Sequence, residues 1–197
     1  MTFLKQFAFI TTLLIGIFAT YLSMATTINE DGLHVQPWFT DSFLFLKEDV
    51  ADAAADGKRV AVLFEQRACP CCKEMHNVNL ADPGISEFIK NNFSIIQMSL
   101  WGAREVVDLD GKTLEERALA LRWRVNFTPT IVFLPTPEEV AKGEVEVARM
   151  PGYFKPFHFL SMFEFVDAGA YVDQNFQHFL QNKFKLMEEK GVKPKVW

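Results

Sequence analysis

The feature that most constrains the fold is a cluster of cysteines placed between a buried strand and a helix. Cys69, Cys71 and Cys72 are the only cysteines of the chain, and Pro70 separates the first two. The apolar run 59–64 that precedes them has the length and composition of a strand covered on both faces. Helical spacing begins at the cluster itself. The sequence therefore predicts a strand–loop–helix unit that carries thiols at the start of its helix.

The spacing of Cys69 and Cys72 suits thiol–disulfide exchange. Unpaired backbone N–H groups and the positive end of the helix dipole stabilise a thiolate at a helix N-terminus. Pro70 fits the first turn, where its missing N–H costs little. We therefore predict that Cys69 is the attacking nucleophile and that Cys72, one turn further and more buried, resolves the mixed disulfide. Buried or incidental cysteines without a chemical role are the other interpretation.

The overall composition is that of one globular domain, with 49% hydrophobic and 23% charged residues. Lys and Arg number 20 against 25 Asp and Glu, a formal net charge of −5. This balance favours neither a nucleic-acid surface nor a polybasic membrane patch. The cysteines are too close together in the chain to staple a small disulfide-rich scaffold.

The N-terminal segment indicates export. Lys5 is its only charged residue before Glu30, and the apolar run 7–22 is followed by a small-x-small tripeptide at 23–25. We predict that residues 1–25 are a signal peptide. An uncleaved membrane anchor is the alternative, because the run approaches the roughly 20 residues that span a bilayer. Both interpretations place the domain outside the cytoplasm, in the periplasm or secreted, either free or anchored to the inner membrane, where thiols meet an oxidising environment.

The rest of the chain alternates between helical and strand patterns. This order predicts an α/β fold with a mixed central sheet, helices on both faces, a small Asp-Gly hairpin insertion at 106–112 and an extra C-terminal helix. The predicted helices cover 42–56, 69–78, 85–91, 114–123, 156–166 and 172–189, and the predicted strands cover 59–64, 93–100, 130–134 and 144–150.

A proline stands at the start of a predicted core strand, where proline is unusual. Pro129 lies between Thr128 and Thr130. A cis Thr128–Pro129 bond would turn the chain sharply and leave neighbouring backbone groups free to pair with an extended substrate. An ordinary trans proline is the alternative, since cis bonds are only about 5–6% of X–Pro bonds in folded proteins. The spacing alone leaves both possibilities open.

Together these motifs resemble the thioredoxin superfamily. The resemblance covers residues 38–167, the core of a single predicted domain at 26–197 that ends in a helical extension at 168–197. It rests on the strand, the C-x-x-C helix, the next strand, the Thr-Pro-Thr motif and the Pro-Gly-Tyr sequence at 151–153. More narrowly, the segments FEQRACPCCKEMH, NFSIIQMSLWG, FTPTIVF and PGYF and the hairpin 108–111 are similar to periplasmic proteins of the SoxW type, associated with sulfur-oxidation systems.

The resemblance implies a thioredoxin-like fold and a redox-active Cys69–Cys72 disulfide, with no bound cofactor. It also implies a cis Pro129, flanked by Thr128 and Thr130 as substrate-binding residues. The activity it implies is reduction of disulfides in partner proteins, with electrons supplied by a membrane thiol–disulfide donor.

Several positions depart from the thioredoxin pattern. Ala68 replaces the Trp before the first cysteine, and Pro70-Cys71 replaces the Gly-Pro between the cysteines, which leaves an oxidase or isomerase activity open. Leu63 occupies the place of the buried acid that accepts the proton of the resolving thiol. Glu65 could substitute for this acid only if it points inward, and a solvated loop residue is the other interpretation.

The extra thiol leaves a second class of function open. Cys71 is an inert exposed residue, a regulatory thiol or a competitor that forms a wrong pairing. Cys69, Cys72 and His76 lie at helical spacings, so they could bind Cu(I) together, joined by Cys71 or Met75. The other interpretation of His76 is a partly exposed helix residue without a ligand role.

Aromatic residues are predicted to fill the core. The chain holds 20 Phe, many of them at helical spacing in its last quarter. Trp101 and Trp123 are predicted to be core residues as well. The stretch 171–190 extends beyond a minimal thioredoxin-like fold, and we expect it to brace the domain, with a partner surface as the alternative.

Overall fold

A computed structural model describes residues 27–192, and within this range the chain forms eight strands and seven α-helices. The predicted signal segment 1–25 lies outside the described residues. The strands are β1 (Thr27–Ile28), β2 (His34–Val35), β3 (Arg59–Glu65), β4 (Phe93–Ser99), β5 (Glu105–Val107), β6 (Thr113–Glu115), β7 (Thr130–Phe133) and β8 (Ala148–Pro151). The helices are α1 (Leu46–Ala55), α2 (Pro70–Glu74), α3 (Pro83–Asn92), α4 (Glu116–Arg122), α5 (Pro137–Ala141), α6 (Pro156–Asp167) and α7 (Phe176–Glu189), with a π-helical turn (Met75–Asn79) that continues α2.

The central sheet has four strands in the order β4-β3-β7-β8. β4 runs parallel to β3, whereas β7 is antiparallel to β3 and β8 is antiparallel to β7. The helices α2 and α3 lie between the two parallel strands in the chain, and the antiparallel pair closes the sheet. The mixed sheet predicted from the sequence is confirmed.

Alternation along β3 divides the core into two layers. Val60, Val62 and Phe64 face one layer, which α1 and α4 cover. Ala61 and Leu63 face the other layer, which the helix α2 and its π-turn share with α3 and α6. Glu65, the last residue of β3, lies on the same face as Ala61 and Leu63. Its side chain therefore points toward the helix that carries the cysteines.

The connection between β7 and β8 differs from the predicted turn. It contains α5, which begins with a capping box between Thr136 and Glu139 and has Pro137 in its first turn. Because this helix and the loop after it occupy the intervening residues, β8 starts at Ala148, and the strand predicted over 144–150 is wrong in its first half. The predicted helix 114–123 is likewise shortened, because β6 pairs with β5 before α4 begins.

A short N-terminal hairpin, β1–β2, was not predicted. Its turn contains Gly32 at φ 77°, a backbone conformation that favours glycine, and a Cβ there would lie 2.7 Å from Arg67 Nε. Gln97 Nε2 donates a hydrogen bond to the His34 carbonyl at 2.6 Å. The hairpin is thereby attached to β4 and lies beside the loop that precedes the cysteines.

The extra C-terminal helix packs on α6 through aromatic side chains. The Phe165 ring contacts the rings of Phe176 and Phe179 at centroid distances of 5.6 and 5.4 Å. On the opposite side of α6, Phe163 meets Phe133 of the sheet at 5.0 Å. Within residues 27–192 no helix combines the length and the apolar character needed to cross a bilayer.

Candidate active site

The end of β3 and the start of α2 build the cysteine loop. Ala68 adopts φ 56°, a left-handed conformation that a non-glycine residue seldom takes, and it turns the chain into the helix. Cys69 is the N-cap residue of α2: its Sγ accepts a hydrogen bond from the Cys72 N–H at 3.1 Å. Pro70 occupies the first turn, where it breaks no helical hydrogen bond.

Cys69 and Cys72 are joined by a disulfide, with their Cα atoms 5.2 Å apart. Cys69 is 5% exposed and Cys72 is 1% exposed, so the second thiol is the less accessible one. Cys71 is free and exposed. A partner can therefore approach the Cys69 side of the bond more easily than the Cys72 side.

The Thr-Pro-Thr segment lies directly against the disulfide. Thr128 Oγ1 donates a hydrogen bond to Cys69 Sγ at 3.3 Å, and the Thr128–Pro129 peptide bond is cis. The Gly152 N–H donates to the Pro129 carbonyl at 2.7 Å and attaches this segment to the end of β8. Thr130 is buried, and its hydroxyl donates to the Phe127 carbonyl at 2.8 Å. Of the two threonines, Thr128 is the one whose side chain reaches the redox centre.

A polar cluster lies where the end of β3 meets the π-helical turn after α2, and it consists of the buried Gln36, Glu65 and His76 and the partly buried Gln97. His76 Nε2 is 3.2 Å from both carboxylate oxygens of Glu65, and neither side chain is exposed to solvent. Gln97 Nε2 donates to Glu65 Oε2. Gln36 Nε2 lies 3.2 Å from His76 Nδ1. Glu65 therefore points inward, which the sequence left open, and His76 is buried rather than a partly exposed helix residue.

The arrangement of His76 bears on the alternative interpretation of a copper site. Both ring nitrogen atoms of His76 face other side chains, Glu65 and Gln36, and the two candidate sulfur ligands are bonded to each other. In the described part of the chain, no group of three or more His, Cys, Asp or Glu side chains is placed to hold a metal ion.

Two exposed aromatic side chains lie on or next to segments that contact the cysteine loop. Trp101 is 71% exposed, and its Nε1–H donates to Gln66 Oε1 in the cysteine loop at 2.9 Å. Phe127 is 55% exposed and immediately precedes Thr128. The prediction that Trp101 is a core residue is wrong, because it lies in the turn after β4, beyond the covered part of the sheet. Trp123, at 8% exposure, is a core residue as predicted.

A buried carboxylate holds the turn that presents Trp101. Glu116 Oε1 accepts hydrogen bonds from the Ser99 N–H at 2.9 Å and from the Arg104 guanidinium at 2.6 Å. Gly102 lies so close to this carboxylate that a Cβ would overlap it. The Glu116 carboxylate therefore fixes the position of the turn after β4, which lies beside the cysteine loop.

Comparison with known proteins agrees with this arrangement. Residues 46–167, more than half of the chain, match the family model of the thioredoxin-like domain. The chain belongs to the thioredoxin-like domain family. The match begins at α1 and ends at the last residue of α6, so the N-terminal hairpin and α7 lie outside the thioredoxin-like domain as the family defines it.

Several solved structures are similar to this chain, and the first of those named here shares its fold. A thioredoxin-fold protein from Helicobacter pylori superposes with a TM-score of 0.53 at 23% identity, over 66% of this chain and 82% of that one. A thioredoxin from Thermus thermophilus is 33% identical, with a TM-score of 0.46, over 62% of this chain and 83% of that one. The C-terminal domain of Neisseria meningitidis DsbD is 19% identical, with a TM-score of 0.41, over 60% and 90% of the two chains. No curated protein matches the sequence.

The disulfide at the start of α2 gives this thioredoxin-like domain its chemistry. A C-x-x-C pair that closes at a helix N-terminus, within a member of this family, is the redox centre of a thiol–disulfide oxidoreductase. The pair needs no other redox group for two-electron exchange. The chain is accordingly an enzyme of the thiol–disulfide oxidoreductase class.

Proposed function

We propose that this oxidoreductase reduces disulfides of partner proteins outside the cytoplasm. The observation that carries the exchange chemistry of this proposal, with Cys69 as the attacking sulfur, is the environment of Cys69 Sγ, which accepts hydrogen bonds from the Cys72 N–H at 3.1 Å and from Thr128 Oγ1 at 3.3 Å. Hydrogen bonds to a sulfur favour its thiolate over its thiol, and the thiolate is the form that attacks a disulfide.

In the proposed reaction the reduced enzyme attacks first through Cys69. The Cys69 thiolate forms a bond to one sulfur of the partner's disulfide, and the other partner sulfur leaves as a thiolate. Cys72 then attacks Cys69 Sγ, forms the Cys69–Cys72 disulfide and releases the second partner thiolate. The enzyme loses two electrons and the partner disulfide gains them. Thr128 and the backbone beside Pro129 orient the partner during both steps.

The direction of electron transfer, toward partner disulfides, and the location outside the cytoplasm are proposed from the sequence resemblance. A membrane thiol–disulfide donor re-reduces the enzyme. The similarity of the enzyme to SoxW-type proteins suggests that it serves a sulfur-oxidation system. Residues 1–25 act as a signal peptide or an anchor, and residues 26–197 form the single exported domain. Oxidase or isomerase activity would use the same cysteines at a higher reduction potential.

Trapping of mixed disulfides tests the proposed order of attack. Without Cys72 the mixed disulfide on Cys69 has no internal thiol to resolve it, so it accumulates. We expect the full chain carrying Cys71→Ser and Cys72→Ser to form adducts with a disulfide-bonded protein such as insulin, and a reductant to release them. The matched variant, Cys69→Ser with Cys71→Ser, is expected to form none. Equal adduct formation by both variants would contradict the assignment of Cys69 as the nucleophile.

A further inference from the structure

Arg67 is an exposed cation in the cysteine loop that the exchange steps described so far do not use. It precedes Cys69 by two residues, so the Cα atoms of the two residues lie within about 7 Å of each other. The Arg67 side chain is therefore close to any partner whose disulfide reaches Cys69.

The N-terminal hairpin holds Arg67 in place. Arg67 Nε donates a hydrogen bond to the Asp31 carbonyl at 3.2 Å. The stem of the Arg67 side chain lies on Gly32, where a Cβ would come within 2.8 Å of Arg67 Cγ and 2.7 Å of Arg67 Nε. A Cβ at position 32 would displace this stem. The contact with the hairpin therefore restricts a side chain that otherwise has many rotamers.

The hairpin is itself anchored to the rest of the domain. Leu33, between its two strands, is buried at 2% exposure. The His34 carbonyl accepts a hydrogen bond from Gln97 Nε2 at 2.6 Å, which attaches β2 to β4. Gln36, directly after β2, lies 3.2 Å from His76 in the π-helical turn that continues α2. The support on which Arg67 rests is therefore fixed to both the central sheet and the cysteine helix.

The terminal nitrogen atoms of Arg67 are free within residues 27–192. In this range Nη1 and Nη2 donate no hydrogen bond, and no carboxylate forms an ion pair with the guanidinium. Most other arginines in the same range are in ion pairs, namely Arg59, Arg104, Arg117, Arg122 and Arg149. Arg67 thus combines a side chain that is held through Nε with a positive charge that is not neutralised.

A carboxylate is the group that fits these free donors best. A guanidinium can donate two parallel N–H groups to the two oxygen atoms of one carboxylate. Binding normally costs the rotamer entropy of a long side chain, and the hairpin has already restricted Arg67. The whole chain carries a formal net charge of −5, so an acidic partner needs a local cation to approach the redox centre.

We propose that Arg67, held by the N-terminal hairpin, binds a carboxylate beside the disulfide of the partner protein, an inference that rests on the proposed function. The preferred substrates are then protein disulfides with an Asp or Glu within a few residues of one cysteine, because an extended chain advances only about 3.3 Å per residue. The exchange steps are unchanged, since Arg67 binds the partner and takes no part in electron transfer.

The support for Arg67 lies outside the region that matches the family. That region is 46–167, whereas Asp31 and Gly32 precede it. The substrate preference that we assign to Arg67 therefore depends on an element that the thioredoxin-like domain, as the family defines it, does not include.

Two peptides of opposite charge test the preference. Each is short and closed by one disulfide, and they differ only in the residues next to their cysteines, which are Glu in one and Lys in the other. The reduced full chain with Cys71→Ser is mixed with each peptide, and the rate of disulfide reduction is measured. We expect the ratio of the Glu-peptide rate to the Lys-peptide rate to fall about three- to fivefold in Arg67→Met and further in Arg67→Glu. Comparison with the parent cancels the intrinsic reactivity of the peptides.

Two further variants complete the test. Lys142→Glu, at an exposed position at the end of α5, makes the same change in net charge as Arg67→Glu and should leave the ratio unchanged. Gly32→Val displaces the Arg67 stem and should lower the ratio. An unchanged ratio in Arg67→Glu, or an equal fall in Lys142→Glu, would overturn the proposal. An unchanged ratio in Gly32→Val would overturn the part assigned to the hairpin.

Failure of the proposed function would look different. The parent would then reduce neither peptide, nor the small neutral bis(2-hydroxyethyl) disulfide, or would form no Cys69–Cys72 disulfide. Both proposals would fall with that result. Normal reduction of the peptides by the parent, together with unchanged ratios in the Arg67 variants, removes only the inference about Arg67.

Discussion

His76 Nε2 lies 3.2 Å from both carboxylate oxygens of Glu65, at a place in the fold where neither side chain reaches solvent. This relationship joins the end of the central strand to the helix that carries the redox cysteines. It also makes a prediction about stability.

Removing one member of the pair should cost more than removing both. His76→Leu leaves the buried Glu65 carboxylate with Gln97 as its donor, and we expect the free energy of unfolding to fall by about 3–5 kcal/mol. In the double variant Glu65→Leu/His76→Leu no buried charge remains, so the loss should be smaller than for His76→Leu alone. Denaturant unfolding of the oxidised full chain measures both. A larger loss in the double variant would contradict the pairing.

The sequence predicted the redox pair because its signal is local. A C-x-x-C between an apolar strand and a helical pattern places both thiols without knowledge of distant contacts. The inward orientation of Glu65 depends on Gln97 and His76, which approach from another strand and from a helix. Contacts between distant segments cannot be inferred from spacing along the chain. The sequence therefore did not decide whether Glu65 is a buried acid or a solvated loop residue.

The elements that the sequence missed also depend on partners elsewhere in the fold. The turn at Asp31-Gly32 is a hairpin signal in retrospect, but its flanking strands are only two residues each and are held by contacts with Arg67 and Gln97. Trp101 was expected in the core because it is large and apolar. Its indole N–H instead donates a hydrogen bond to Gln66 at the surface, because β4 ends two residues earlier, at Ser99.

The capping box of α5 predicts an acid-sensitive contribution to stability. Burial opposes ionisation of Glu139, but hydrogen bonds from Thr136 and Tyr171 and the nearby Arg59 outweigh it and lower the pKa of this carboxyl. A lowered pKa in the folded state stabilises the fold above the ordinary pKa and loses that effect as the pH falls through the folded value. We expect Glu139→Gln to cost about 1 kcal/mol at neutral pH.

The measurement is how the loss in free energy of unfolding caused by Glu139→Gln changes with pH. Because the pKa of Glu139 is lowered only in the folded state, the difference between parent and variant should shrink in denaturant unfolding as the pH falls below the ordinary pKa of Glu, about 4.3. A difference that stays constant down to about pH 3 would contradict a role for the ionised carboxylate.

The exposed aromatic side chains near the cysteine loop predict selectivity for protein partners. We expect Trp101→Ala to slow the reduction of insulin about tenfold, because exposed aromatic residues often carry much of the binding energy of an interface. Its reaction with the small disulfide 5,5′-dithiobis(2-nitrobenzoate) should be unchanged, and its stability should change by less than about 0.5 kcal/mol.

A matched control separates this effect from a general loss of apolar surface. Leu121 is 78% exposed on α4, in the layer away from the cysteine helix. Leu121→Ala should leave the reduction of insulin unchanged. If Leu121→Ala slowed the reduction of insulin as much as Trp101→Ala does, Trp101 would not be part of a partner surface. The same conclusion would follow if Trp101→Ala slowed the reduction of both disulfides equally.

The central claim is that the Cys69–Cys72 pair donates electrons to partner disulfides, and its reduction potential tests that claim most directly. The full chain with Cys71→Ser, which prevents mispairing, is equilibrated in redox buffers of defined potential, and the oxidised fraction is read by thiol labelling and mass spectrometry. We predict a potential near that of thioredoxin, roughly −270 mV. A value near −120 mV, typical of a strong oxidant, would contradict the reductase assignment.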